Sequence, residues 1–449
     1  MLQYKNIYVM YRMHIQGSNT AEIASSVERS VQNGALKPGS RLPTIRDLAG
    51  KLRVSPVTVA AAYRLLQARG LVVGGGRRGT HVRQHAHSHR AATASHTTAP
   101  DATDLATGNP DPELLPHIGP HLNALAHVQH AYGDPLEFKP LVAFAAAEFE
   151  ADGIPASDIT ITAGALDAVE RVLREHLRHG DRVVVEDPTL PALLDLLTSM
   201  GFTPQPCSID DDGLEPGGME RALGAHARAV IVSPRAQNPT GAALSAARAA
   251  DLARVLERRS HALVIEIDSA GPVSGATLRT LIDPARQHWA AIRSTSKFLG
   301  PDLRVAAMAS DAITAGRVQR RQSLGIRWVS HLSQALALSL WSDPSTGRRL
   351  ARAAEVYRQR RDALIDALAA HDIGAHGRSG FNLWIPVREE AAAVSGLAAR
   401  GWAVAAGERF RLRSAPAIRV TTSALELGEA RRLAADLEEV LHPSAASSA

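Results

Sequence analysis

From Thr20 the apolar residues Ile23, Val27 and Val31 recur at helical spacing, which predicts an amphipathic helix. Gly34 stands where a left-handed residue would stop it. After the turn KPGSRLP, Thr44 is placed to cap a second helix, IRDLAGKLR, with Ile45, Leu48 and Leu52 as its apolar stripe. Ser55 is placed to cap a third helix reaching Arg69. Its Val57, Ala61, Leu65 and Leu66 would face inward, and Thr58, Arg64 and Arg69 outward. Two short strand patterns, 71–73 and 80–82, flank a glycine-rich turn carrying Arg77 and Arg78. Three helices and a basic hairpin predict a winged helix-turn-helix over residues 14–83.

The periodicity stops at residue 84. Residues 84–103, QHAHSHRAATASHTTAPDAT, have the composition of a flexible linker. Its His85, His87, His89 and His96 have no fixed geometry for a metal, and no metal site is expected. Over residues 104–442 strand-like runs (182–186, 229–233 and 262–267 among them) alternate with long Ala/Leu/Arg helical patterns. Such alternation predicts an α/β domain built on a largely parallel sheet.

Charge sharpens this division. Residues 1–83 hold thirteen Lys/Arg against three acids, a net +10, whereas the whole 449-residue chain carries +5 and the remainder therefore −5. A basic head on a mildly acidic body suits contact with a polyanion. No apolar run approaches the eighteen residues that a membrane-spanning helix needs, and the opening residues lack the pattern of a signal peptide. A single cysteine, Cys207, excludes an internal disulfide and suits a cytoplasmic protein. Residues 1–15 and the tail PSAASSA read as dispensable.

The stretch NGALKPGSRLPTIRDLAGKLRVSPVTVAAAYRLLQARGLVVGGGRRGTHV resembles the GntR family of regulators along nearly the whole head. The resemblance implies that the third helix enters the major groove of double-stranded operator DNA, with Ser55, Val57 and Thr58 nearest the bases. Arg46, Arg77 and Arg78 would hold phosphates, fixing register without reading sequence. Where many relatives have an arginine after the serine, this chain has Pro56, which donates no hydrogen bond.

The body resembles fold-type I aminotransferases, whose cofactor is pyridoxal 5'-phosphate and whose mostly parallel sheet carries helices on both faces. AYGDPLEFKPL places Tyr132 where the family reaches the cofactor phosphate, often across a dimer interface. In ITAGALDAVERVL, the N–H groups of Gly164 and Ala165 would point at an anion at a helix start. SPRAQNPTG carries Asn238, matching a donor to the cofactor's phenolic oxygen, and VIEIDSAG carries Asp268, matching the carboxylate that keeps the ring nitrogen protonated. RSTSKFLGPDLRVA supplies Lys297, matching the Schiff-base lysine, with Ser294 and Arg304 matching phosphate ligands. AIRVTTS supplies Arg419, matching the clamp on an amino acid's α-carboxylate.

Head and body together are similar to the MocR regulators. That resemblance implies a homodimer in which each head packs against the partner's body, with pyridoxal phosphate or a small amino compound as effector. Two departures stand out. Leu190 replaces an aromatic ring that stacks on the cofactor, and Gly271 replaces a tyrosine that contacts its phenolic oxygen. Both should weaken cofactor binding and impair proton transfer. A working aminotransferase with an accessory head, and a body that has lost the cofactor altogether, stay open as alternatives.

Overall fold

The computed structural model describes residues 15–32, 34–37, 39–68, 71–74, 79–82, 102–126 and 128–442. Arg69, Arg77, Arg78, the four linker histidines, all of the linker before Ala102, residues 1–14 and the tail lie outside the described residues. The chain divides into two compact units, an N-terminal one and a much larger C-terminal one.

In the N-terminal unit three helices, α1 (Thr20–Gln32), α2 (Ile45–Leu52) and α3 (Pro56–Ala68), precede an antiparallel hairpin of β1 (Val72–Gly74) and β2 (Thr80–Val82). Thr44 caps α2 by accepting from the Asp47 N–H at 3.2 Å, and Ser55 accepts from the Thr58 N–H at 3.1 Å. Ile23, Val27, Leu48, Val59, Tyr63, Leu66, Val72 and Val82 form the core. The Tyr63 hydroxyl donates to the Pro43 carbonyl at 2.9 Å, tying α3 to the turn before α2. Ile15, grouped above with the dispensable residues, is buried in this core.

Two inward assignments are corrected. Val57 is 71% exposed and Ile45 is also exposed. The inward stripe of α3 runs through Val59, Ala62, Tyr63 and Leu66. Val57 lies two residues before Val59, about 200° around the helix, and so points the other way.

In the C-terminal unit, β3 (Thr103–Leu105) precedes β4 (Ile159–Thr162), β5 (Arg182–Asp187), β6 (Thr203–Asp210), β7 (Gly213–Leu214) and β8 (Ala227–Val232). Then come β9 (Leu263–Asp268), β10 (Trp289–Ser294), β11 (Ala306–Ser310), β12 (Asn382–Pro386), β13 (Trp402–Ala406) and β14 (Ala417–Thr421). The large sheet has the order β4-β11-β10-β9-β8-β5-β6-β7, with helices on both faces. Its five strands from β10 to β6 are parallel, whereas β11 runs against both neighbours and β7 against β6, so the sheet is mixed. The strands β5, β8 and β9 are buried along nearly their whole length, each with a Val- or Ile-rich centre, as expected of strands covered on both sides.

A second sheet, β12-β14-β13-β3, closes the chain order by pairing Thr103 with Trp402. Thr103, the last residue assigned to the linker, is thus the first of a strand. Two helices matter for the site. α4 (Ala165–His176) starts beside the end of β4. The 26-residue α5 (Pro344–Ala369) buries Leu350, Ala353 and Tyr357 in the large sheet's core and Leu364 and Leu368 in the small sheet's core. One rigid helix therefore joins the two cores.

Candidate cofactor site and nucleic-acid interface

Sheet register gathers the motifs. Ser294 at the end of β10 pairs with Ala306, and Ala306 with Thr162 at the end of β4. Arg293 pairs with Asp268 at the end of β9. The carboxyl ends of β4, β9 and β10 thus share one sheet edge, as ligand contacts do in an open α/β sheet.

Lys297 follows β10 in a loop closed at its neck by Thr295, whose N–H and hydroxyl both meet the Val305 carbonyl, at 3.2 and 2.8 Å. Its Nζ donates to the Gly108 carbonyl at 2.5 Å. Burial, helped by the nearby Arg419 guanidinium, lowers its pKa from 10.5 to about 8. A lysine so placed supplies a neutral amine far more readily than one on the surface.

The same loop carries Arg304, exposed and in a left-handed conformation (φ 50°), whose Nη2 donates to the Ala163 carbonyl at 3.0 Å. Gly164 adopts φ 102°, a conformation that favours glycine, and a Cβ there would sit 2.4 Å from Arg304 Nη2, so that a side chain would displace the guanidinium. Bare backbone, guanidinium and the start of α4 meet at this point, and Ala165 opens the helix. Ser294 is buried nearby in the chain, its hydroxyl bonded to that of Ser296 at 3.2 Å.

Arg419 is buried on β14. Its Nη1 donates to Asn238 Oδ1 at 3.2 Å and its Nη2 to the Ala106 carbonyl. Among the described residues its buried Nε has no partner. Burial lowers its pKa to about 10. Because Asn238 accepts through oxygen, its amide nitrogen remains a donor, the role expected of it.

Structure thus brings Lys297, Asn238 and Arg419 together, and sets Ser294, Gly164 and Arg304 along the adjoining edge. Asp268 is buried at the end of β9, between two arginines. Tyr132 is apart: it is 84% exposed, with Trp328 and Arg327 beside its ring.

Sequence reading missed several participants. Residues 104–111 cross the site, their Ala106, Gly108 and Asn109 carbonyls accepting from Arg419, Lys297 and Ser423. Asp104 folds this strap by accepting from the N–H groups of Ala106 and Thr107 at 2.9 and 3.0 Å. Gly108 adopts φ 72°, and a Cβ there would press on Arg419. Arg235 and Arg293 were also missed, although their place in SPRAQNPTG and IRSTSK was a usable signal.

In the head, Arg46 is exposed on the first turn of α2, and at the start of α3 Ser55 and Val57 are exposed and Thr58 half-buried. Ser55 and Thr58 hydroxyls lie 2.9 Å apart.

Residues 19–82 match the bacterial regulatory proteins of the gntR family, and residues 100–437 match aminotransferase class I and II. The vitamin B6 salvage pathway transcriptional repressor PtsJ of Salmonella typhimurium is 40% identical over 432 residues, covering 95% of this chain and 100% of PtsJ. This chain belongs to the MocR subfamily of GntR regulators. The regulator TauR of Rhodobacter capsulatus is 26% identical, over 82% of this chain and 83% of its own. Two solved structures share the body's fold. The α-aminoadipate aminotransferase LysN of Thermus thermophilus has a TM-score of 0.68 at 21% identity, over 77% of this chain and 93% of its own. An archaeal alanine:glyoxylate aminotransferase has a TM-score of 0.71 at 19% identity, over 80% and 95%.

This MocR-type chain is therefore a DNA-binding transcription regulator with an aminotransferase-fold body. Its departures from that fold's enzymes are built in. Gly271 adopts φ 52°, and a Cβ there would lie 2.9 Å from the ring of Phe298, which is fully buried against Trp341. Any side chain at Gly271 would thus require a shift of Phe298, the residue next to Lys297. Leu190 simply begins the turn into the helix Pro191–Ser199, its carbonyl accepting from Leu193.

Proposed function

We propose that this chain switches its grip on paired operator sites when its body holds pyridoxal phosphate, or a small amine with a carboxylate bound beside it. One observation carries the reading: a buried lysine and a glycine–arginine cradle share one sheet edge, and beside the lysine lies a buried arginine of the second sheet whose Nε has no partner among the described residues. These residues fit the group. Gly164, Ala165, Ser294 and Arg304 would hold its phosphate, Asn238 its phenolic oxygen, and Lys297 its aldehyde carbon. Bound pyridoxal phosphate supplies an electrophilic carbonyl that condenses with amines.

The chain's own groups supply the rest. Burial, which penalises the charged form, brings the Lys297 pKa down to about 8, so its neutral amine is reached at far lower pH than on a surface lysine. Arg419 offers a buried cation for a carboxylate, and Asn238 Oδ1 fixes the orientation of its guanidinium. The vitamin B6 role of PtsJ supports a B6 vitamer as the signal. Gly271 disfavours efficient transamination, since it offers no hydroxyl where the aminotransferases have a tyrosine. We place the protein in the cytoplasm as a homodimer, with Tyr132 serving the partner's site.

The test is borohydride reduction of the protein with pyridoxal phosphate, mapped by mass spectrometry, beside operator binding with and without the vitamer. A reduced adduct on Lys297 and a changed operator affinity are expected in the wild type, with neither in Lys297→Ala. A vitamer-independent affinity in both proteins would sink the reading.

A further inference from the structure

Asp268 was expected to serve a cofactor's ring nitrogen, yet its carboxylate is already saturated. Oδ1 accepts from Arg235 Nε at 3.1 Å and from the Gly271 N–H at 2.9 Å. Oδ2 accepts from Arg235 Nη2 at 2.7 Å and from Arg293 Nε at 3.1 Å. A carboxylate offers about four in-plane lone-pair sites, and four donors fill them.

The donors are fixed in their turn. Arg235 uses Nη1 on the Ala276 carbonyl at 3.1 Å. Arg293 uses Nη2 on Asp152 and lies 4.9 Å from the Phe149 ring centre. Asp268, Arg235 and Arg293 are all buried. Asp268 and Asp152 are already engaged by Arg235 and Arg293, so a further cation beside Asp268 would face two guanidiniums. Burial makes such an encounter costly.

Resting on the pyridoxal phosphate reading above, we infer that Asp268 anchors Arg235 and Arg293, and that the ring nitrogen of bound cofactor is left unprotonated. Arg235, from the strand-to-turn SPRAQNPTG, is the positioning residue that withdraws the carboxylate. An unprotonated ring withdraws electrons weakly, so the body would retain the vitamer and the amines it captures without driving proton abstraction. Such a site reports occupancy and does not consume what it senses. The two arginines are also what keeps Asp268 ionised: burial alone would raise its pKa, and their charge and hydrogen bonds lower it.

The experiment uses the full chain loaded with pyridoxal phosphate carrying a nitrogen-15 label in the ring, read by NMR at neutral pH. An unprotonated nitrogen shift is expected for the wild type, moving toward the protonated shift in Arg235→Gln, which frees one lone pair on each Asp268 oxygen. A protonated shift in the wild type, on protein whose Lys297 adduct is confirmed, overturns this inference alone. Failure to form that adduct overturns the pyridoxal phosphate reading and this inference with it.

Melting of cofactor-free Asp268→Asn gives a second readout. An anchor predicts a lower melting temperature, because Arg235 and Arg293 lose their shared counter-charge. An unchanged melting temperature with weakened cofactor retention would instead assign Asp268 to the cofactor and overturn the inference.

Discussion

At the scale of the residue, Lys297 offers the sharpest forecast. Its folded pKa is about 8 against an ordinary 10.5, so between these values the unfolded chain binds the extra proton. Stability therefore rises as pH climbs through that window, and below about 8 the full cost of the buried charge is present. Two and a half pKa units correspond to on the order of 3 kcal/mol. Denaturant unfolding of the cofactor-free wild type and Lys297→Met should show the wild type gaining on the variant from about pH 8 to 10.5. Parallel curves would mean that the lysine is solvated. At residue scale the motifs picked out Lys297, Asn238 and Arg419, which the structure places beside one another. Sequence reading failed for Arg235, whose place in SPRAQNPTG marked it for the site but not as the partner of Asp268 thirty-three positions later.

Elements were easier to read than their orientation. The winged helices appear where capping residues and apolar spacing put them, since both signals are local. Facing was misjudged for Val57 and Ile45, each at a helix start, where a single turn gives too few positions to fix the phase of the stripe. The same error exposes a use. Val57 stands free on the first turn of α3, so Val57→Asp should leave the melting temperature unchanged, surface changes staying within about 0.5 kcal/mol. Operator affinity should fall roughly tenfold or more, through lost contact and repulsion from phosphate. Equal affinity would place α3 away from the groove. In the body, alternation of strands and helices foretold the parallel centre of the sheet, but not that β11 would run against it. That reversal depends on the tight loop carrying Lys297 and Arg304, a long-range closure at Thr295 and Val305.

At the scale of the whole molecule, the body's exposed apolar residues include Leu122, Tyr132, Leu324, Ile326 and Leu332. Leu324 is 77% exposed. If these cover one another between copies, Leu324→Asp with Ile326→Asp should give monomers in sedimentation, and cofactor retention should drop with Tyr132 withdrawn from the partner's site. Dimers of undiminished stability would move the interface elsewhere.

The strap folded by Asp104 has a consequence for dose response. Its carbonyls hold the two cations that any incoming molecule must win, so ligand and chain are rivals for the same donors. Apparent affinity is then the intrinsic affinity scaled by the fraction of time the strap stands aside. On the proposed function, sensitivity would be retuned by loosening the turn at Asp104 and Thr107, and the threshold at which a gene responds would become a property of that turn.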